Sequence, residues 1–131
     1  MAKFIHAMIR VKDLEKSEKF YSDIFDLKRS HFLDFDDFSL SYLRNKENDM
    51  ELELTYNKGR EEPYTHGTGY GHVAFSVEDL QGFYDKVKNL GYEPTDIKEF
   101  NVDGKKLAKF FFVLDPDGYK IEVLERYGHY I

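Results

Sequence analysis

Tyr70-Gly71-His72-Val73-Ala74-Phe75-Ser76-Val77-Glu78-Asp79-Leu80 is the second copy of a pattern that this chain uses twice. The first copy is Ile5-His6-Ala7-Met8-Ile9-Arg10-Val11-Lys12-Asp13-Leu14. In both, a histidine leads, a valine stands five residues later, and Asp-Leu begins two residues beyond that. The offset continues, pairing Tyr21 with Val87 and Ile24 with Leu90. Each copy is followed later by an acid set among apolar residues, Leu52-Glu53-Leu54 and Ile121-Glu122-Val123. The chain reads as one module used twice, each contributing one His and one Glu.

Working outward, residues 3–11 predict a strand with Ile5, Ala7, Ile9 and Val11 on one face and His6, Met8 and Arg10 on the other. Asp13 is placed to cap a following helix whose apolar stripe is Leu14, Phe20, Tyr21 and Ile24. Strands are predicted near 29–35, 38–44 and 50–56, broken by Asp36-Asp37 and by Asn45-Lys46-Glu47-Asn48-Asp49. The polar residues 57–69 read as a linker. In the second module a strand over 70–77 sets Val73, Phe75 and Val77 against His72, Ala74 and Ser76. Asp79 caps a helix that runs to about Leu90 and ends at Gly91. Further strands are expected near 92–98, 108–114 and 119–125, with the tight turn Asp115-Pro116-Asp117-Gly118 between the last two. The expected fold is α+β: two β-α-β-β-β modules, about 3–56 and 70–126, forming a curved, barrel-like mixed sheet within one domain spanning 1–131.

The totals narrow the function. At 131 residues the chain has single-domain length and buries roughly two-thirds of its unfolded surface. Hydrophobic residues at 41%, including 12 Phe and 10 Tyr, supply the core. A net charge of -6 argues against a nucleic-acid partner, which calls for a basic face. No apolar run is long enough to span a membrane, and the N-terminus shows no secretion signal. There is no cysteine, so thiolate ligands, disulfides and cysteine nucleophiles are excluded. A cytoplasmic location is expected.

Strand parity selects the candidate site. His6 shares a face with Arg10; Glu51, Glu53, Thr55 and Asn57 share another; Glu122 lies with Lys120 and Leu124. If helices cover the apolar faces, His6, Glu53, His72 and Glu122 project to the opposite, concave side. Two imidazoles and two carboxylates suit Zn, Ni, Co, Fe or Mn, and four protein ligands on an octahedral ion leave two positions open for substrate oxygens. The competing reading makes the histidines ordinary strand-end residues and puts Glu53 and Glu122 on the solvent face of edge strands. His31, His66 and His129 have no partner in the repeat and are expected at the surface.

Over nearly its whole length the sequence resembles the glyoxalase I family of the vicinal-oxygen-chelate superfamily. The resemblance rests on His6-Ala7-Met8-Ile9-Arg10-Val11, Glu53-Leu54-Thr55-Tyr56-Asn57, Tyr70-Gly71-His72-Val73-Ala74 and Asp115-Pro116-Asp117-Gly118-Tyr119-Lys120-Ile121-Glu122. It implies a metal held by His6, Glu53, His72 and Glu122, with nickel or cobalt favoured over zinc in the short bacterial form. It implies that Arg10 and Asn57 bind the glutathione moiety and that Glu122 carries the proton. A lysine near the glutathione carboxylates is also implied, with Lys105, Lys106 and Lys109 as candidates. The implied reaction is isomerisation of the methylglyoxal–glutathione hemithioacetal to S-lactoylglutathione through an enediolate. The implied assembly is a homodimer with shared sites. Alternatives within the superfamily are a thiol transferase, an extradiol dioxygenase and a non-enzymatic drug-binding protein. Where longer members carry an arginine before the second metal histidine, this chain has Thr68-Gly69, and Lys58 stands where a tryptophan often follows the asparagine.

Overall fold

The computed structural model describes Met1–Ile131 and resolves the chain into two compact units, Met1–Thr65 and His66–Ile131. The boundary falls inside the stretch expected to link the modules. Each unit has the order β-α-β-β-β. The strands form two four-stranded sheets, one per unit, rather than a single continuous one.

In the first unit β1 (His6–Val11) leads into α1 (Leu14–Phe25), followed by β2 (Lys28–Asp34), β3 (Phe38–Arg44) and β4 (Glu51–Asn57). The sheet order is β1-β4-β3-β2, with β1 parallel to β4 and the other pairs antiparallel. The Asp13 carboxylate accepts the Lys16 N–H at 3.1 Å and so caps α1. At the other end Asp26 adopts a left-handed conformation, φ 54°, and its N–H closes onto the Ser22 carbonyl. The helix buries Phe20, Tyr21, Ile24 and Phe25, while Ile9, Val11, Leu43, Leu52 and Leu54 are the buried apolar residues of the strands. This is the core of the first unit.

In the second unit β5 (Val73–Val77) and α2 (Leu80–Asn89) precede β6 (Lys98–Val102), β7 (Lys105–Leu114) and β8 (Lys120–Glu125). The sheet order is β5-β8-β7-β6, again with the first and last strands parallel. Leu80, Val87, Phe111, Val113, Ile121 and Val123 are buried. Asp79 caps α2 by accepting the Gly82 N–H at 3.0 Å. Removing that acceptor in Asp79→Ala is expected to cost about 1 kcal/mol, read as a lowered urea midpoint with unchanged slope.

The expected strand near 92–98 is corrected. The strand is Lys98–Val102, and it turns into β7 through Asp103-Gly104, both at positive φ, 52° and 74°. With Val102 opposite Lys105, this is a two-residue hairpin whose twist matches that of its strands. Residues ahead of β6 touch β7 at one clasp: Thr95 N–H donates to the Phe112 carbonyl at 2.8 Å, and Thr95 Oγ1 accepts the Phe112 N–H at 2.9 Å. The Asp115–Gly118 turn forms as the sequence indicates. Buried Asp115 Oδ1 accepts the N–H groups of Asp117 and Tyr119, each at 2.9 Å, and Gly118 takes φ 83°. No helix is long and apolar enough to cross a membrane.

Candidate active site

Register decides which side chains share a face. In the parallel pair β1–β4, His6 is opposite Glu51, Met8 opposite Glu53, and Arg10 opposite Thr55. On the other side of β4, Tyr42 is opposite Glu53, and Phe38 opposite Asn57. The face of the first sheet that α1 does not bury therefore carries His6, Arg10, Glu53 and Asn57 together, as parity indicates. The His6 Nε2 lies 3.9 Å from Glu53 Oε2.

Glu53 is 8% exposed, because β4 is an inner strand with a neighbour on each side. The alternative that placed it on the solvent face of an edge strand is thereby overturned. A buried carboxylate needs hydrogen-bond partners. Tyr42 faces it from the neighbouring strand, and hydrogen bonding to Glu53, with burial and the negative charges of Glu53 and Glu51, pushes the phenol up to about 12. The His6 ring stands edge-on to Tyr42 with centroids 5.6 Å apart at 74°. His31, expected simply at the surface, is exposed but also lies against Tyr42, centroids 5.9 Å apart.

Asn57 ends β4, and its Oδ1 accepts the Tyr64 hydroxyl at 2.9 Å. Arg60 covers the Tyr64 ring at 4.0 Å and donates to the carbonyls of Glu62 and Pro63. The residues after β4 thus fold back to hold the asparagine in place.

The second sheet repeats the construction. Ala74 is opposite Glu122 across the parallel pair, and Phe112 is opposite Glu122 on the antiparallel side. His72, immediately before β5, places Nε2 3.3 Å from Glu122 Oε1. Its ring stands edge-on to Phe112, again at 5.6 Å, with an angle of 71°. Glu122 also lies on an inner strand, with its side chain 15% exposed.

The four predicted ligands are thus brought together as two pairs, His6 with Glu53 and His72 with Glu122. No group of three or more His, Asp or Glu side chains is gathered around one point. The donor chemistry of each pair fits a divalent ion. Two donors held at about 2.1 Å from one ion lie about 3.0–3.4 Å apart, depending on its geometry. The 3.3 Å pair matches that bite, and the 3.9 Å pair is about half an ångström wider.

Among the lysine candidates, Lys106 is committed to Glu125, which raises its pKa, and lies over the Tyr127 ring. His66 departs from the surface position expected of it. Its ring stacks on Tyr119 at 4.2 Å and 12°, and its Nε2 is buried.

Three comparisons bear on this geometry. Residues 3–123 match the family described as the Glyoxalase/Bleomycin resistance protein/Dioxygenase superfamily. A lactoylglutathione lyase of Haemophilus influenzae is 37% identical over 125 residues, covering 92% of this chain and 90% of that protein. A probable lactoylglutathione lyase of Synechocystis is 37% identical over 130 residues, covering 92% and 93%. Among solved structures, the trypanothione-dependent glyoxalase I of Leishmania major is 34% identical. It aligns over 95% of this chain and 87% of its own, with a TM-score of 0.75.

Proposed function

The chain belongs to the Glyoxalase/Bleomycin resistance protein/Dioxygenase superfamily, and from that premise we propose that its site isomerises the hemithioacetal of methylglyoxal and glutathione to S-lactoylglutathione. Its activity is that of a lactoylglutathione lyase, which detoxifies methylglyoxal. The observation that carries the reading is the repeated His–Glu pair on the sheet face opposite each helix.

His6, Glu53, His72 and Glu122 are the residues that would hold a divalent ion. Such an ion supplies positive charge against the negative charge that develops on the two neighbouring substrate oxygens. Glu122 removes the proton from the carbon bearing sulfur and hydroxyl. The C–H electrons form the carbon–carbon double bond of an enediolate as the carbonyl π electrons move onto their oxygen. The same carboxylate returns the proton to the neighbouring carbon, and the hydroxyl proton passes from the first oxygen to the second, leaving a thioester beside a new secondary alcohol. Atoms and electrons balance within the substrate, so no redox partner is required. Arg10 and Asn57, on the same face as Glu53, hold the glutathione portion. With Lys106 engaged by Glu125, the glutathione carboxylates fall to Lys105 or Lys109.

The assembly that suits two half-sets of ligands is a homodimer, in which His6 and Glu53 of one copy complete a site with His72 and Glu122 of another.

The deciding experiment follows thioester formation from methylglyoxal and glutathione by metal-free protein reloaded with nickel, cobalt or zinc. Nickel or cobalt is expected to restore more activity than zinc. A parallel run with trypanothione, the thiol named for the Leishmania protein, fixes the thiol. No thioester with any metal and either thiol overturns the reading. His6→Ala and His72→Ala are each expected to weaken nickel binding by about ten-fold or more, since each removes a ligand. Unchanged affinity in equilibrium dialysis would strike that histidine from the site.

A further inference from the structure

The residues that follow β4 build a fixed setting for one side chain, that of Asn57 at the strand's end. Lys58 ties the next position to the turn between β2 and β3. Its backbone N–H donates to the Asp37 carbonyl at 2.9 Å. Its ammonium donates to the Phe35 carbonyl at 2.5 Å and pairs with Asp34 Oδ1 at 2.7 Å, an oxygen that also accepts the Ser39 hydroxyl at 2.7 Å. The side chain of Asn57 is held from the other direction. Tyr64 donates its hydroxyl to Asn57 Oδ1 at 2.9 Å, and the Arg60 guanidinium, 4.0 Å from the Tyr64 ring centre, keeps that ring in place. All of these residues belong to the first unit.

An amide has two unlike ends, a carbonyl oxygen that accepts and an NH2 group that donates. With Oδ1 engaged by Tyr64, the end left for a ligand is Nδ2, which has no partner in the protein and is not buried. Asn57 shares its sheet face with Arg10, which is opposite Thr55, the preceding residue on that face of β4. A guanidinium also carries donors and no acceptor. The two side chains assigned to the glutathione portion therefore both offer donors. Glutathione carries both carboxylates and an ammonium. A donor pair that includes a permanent cation matches the first kind of group and opposes the second.

We propose that Tyr64 is a positioning residue that fixes the Asn57 amide with Nδ2 outward, so that Asn57 selects a carboxylate of the thiol rather than its ammonium. The inference rests on the assignment of Arg10 and Asn57 to the glutathione portion.

The test measures binding of S-methylglutathione to the full-length, nickel-loaded protein by calorimetry, which needs no turnover. Tyr64→Phe keeps the ring, loses the hydroxyl, and is expected to weaken binding by about five-fold. Its KM for the hemithioacetal should rise by a similar factor while kcat and nickel affinity stay at the parent values, a split that general loosening of the fold would not give. Asn57→Asp separates the two orientations of the amide by sign. With Nδ2 outward, the variant sets a carboxylate against a carboxylate, and binding is expected to fall by about ten-fold or more. With Oδ1 outward toward the ammonium, the same variant would bind as tightly as the parent or more so, and that result overturns the proposal. Two S-methylglutathione analogues, amidated at the glutamyl or at the glycyl carboxyl, identify the group in contact. The Asn57→Asp penalty is expected to disappear with one of them. A penalty that persists with both, or parent-like binding by Tyr64→Phe, overturns the proposal. Failure of the parent protein to bind S-methylglutathione overturns it together with the thiol, whereas binding without thioester formation overturns the reaction alone.

Discussion

Replacing Glu122 by glutamine is expected to lower turnover by about two to four orders of magnitude while the fold and the bound metal are retained. The position is anchored on both sides, since Ile121 and Val123 are buried in the core and fix the backbone of β8. Glutamine has nearly the same shape as glutamate and keeps one oxygen that can act as a ligand. It cannot accept a proton from carbon at neutral pH. The defect should therefore appear in kcat, with a far-UV spectrum and metal content like those of the parent. Near-normal turnover at full metal content would remove the proton-carrier role from Glu122 and shift attention to Glu53.

Mixing two inactive proteins is expected to restore activity. Glu53→Ala damages one half-site and Glu122→Ala the other. In a dimer with sites built from both copies, each mixed dimer holds one site with both defects and one with none. If subunits exchange at random, about half of the dimers are mixed, and activity should reach about a quarter of the parent value. If each chain instead completes its own site, both proteins carry one damaged site per copy and mixing restores nothing. The readout is thioester formation before and after exchange, with exchange followed separately by a mass or fluorescence label. Proven exchange without recovered activity would rule out sites shared between copies.

Much of this site was legible in the sequence because a strand alternates its side chains with a period of two. Placing His6 and Arg10 on one face of β1, and Glu53 and Asn57 on one face of β4, needed only local parity, and the parallel register keeps them on a common face. The capping aspartates Asp13 and Asp79 were equally local, each bonding an N–H three residues ahead. Tyr42 was not legible in this way. Its place across from Glu53 depends on the pairing of β3 with β4, which no pattern within either strand reveals. The burial of Glu53 was hidden for the same reason, since an inner strand and an edge strand can show the same alternation.

The misplaced strand near 92–98 has a more specific cause. Two Thr95 hydrogen bonds to Phe112 give that segment one point of sheet-like attachment, whereas the true partner of β7 begins at Lys98. The Asp103-Gly104 pair was the available signal, because that dipeptide favours the positive φ values of a two-residue hairpin. His66 lacked a repeat partner but gained an aromatic one, Tyr119, through a contact invisible to an argument built on repetition.

The parallel pairing of first and last strands has a topological consequence. Within each unit the histidine comes at the beginning and the glutamate at the end, so the chain between them must close a long loop before the donors meet. Closing such a loop carries an entropic cost that the intervening hairpins do not bear. A fragment lacking either end of a unit lacks one member of its His–Glu pair, however well its middle strands form. Under the proposed ligand assignment, ion binding would be linked to the least local contact in each unit, and its free energy would be spent on holding the chain closed.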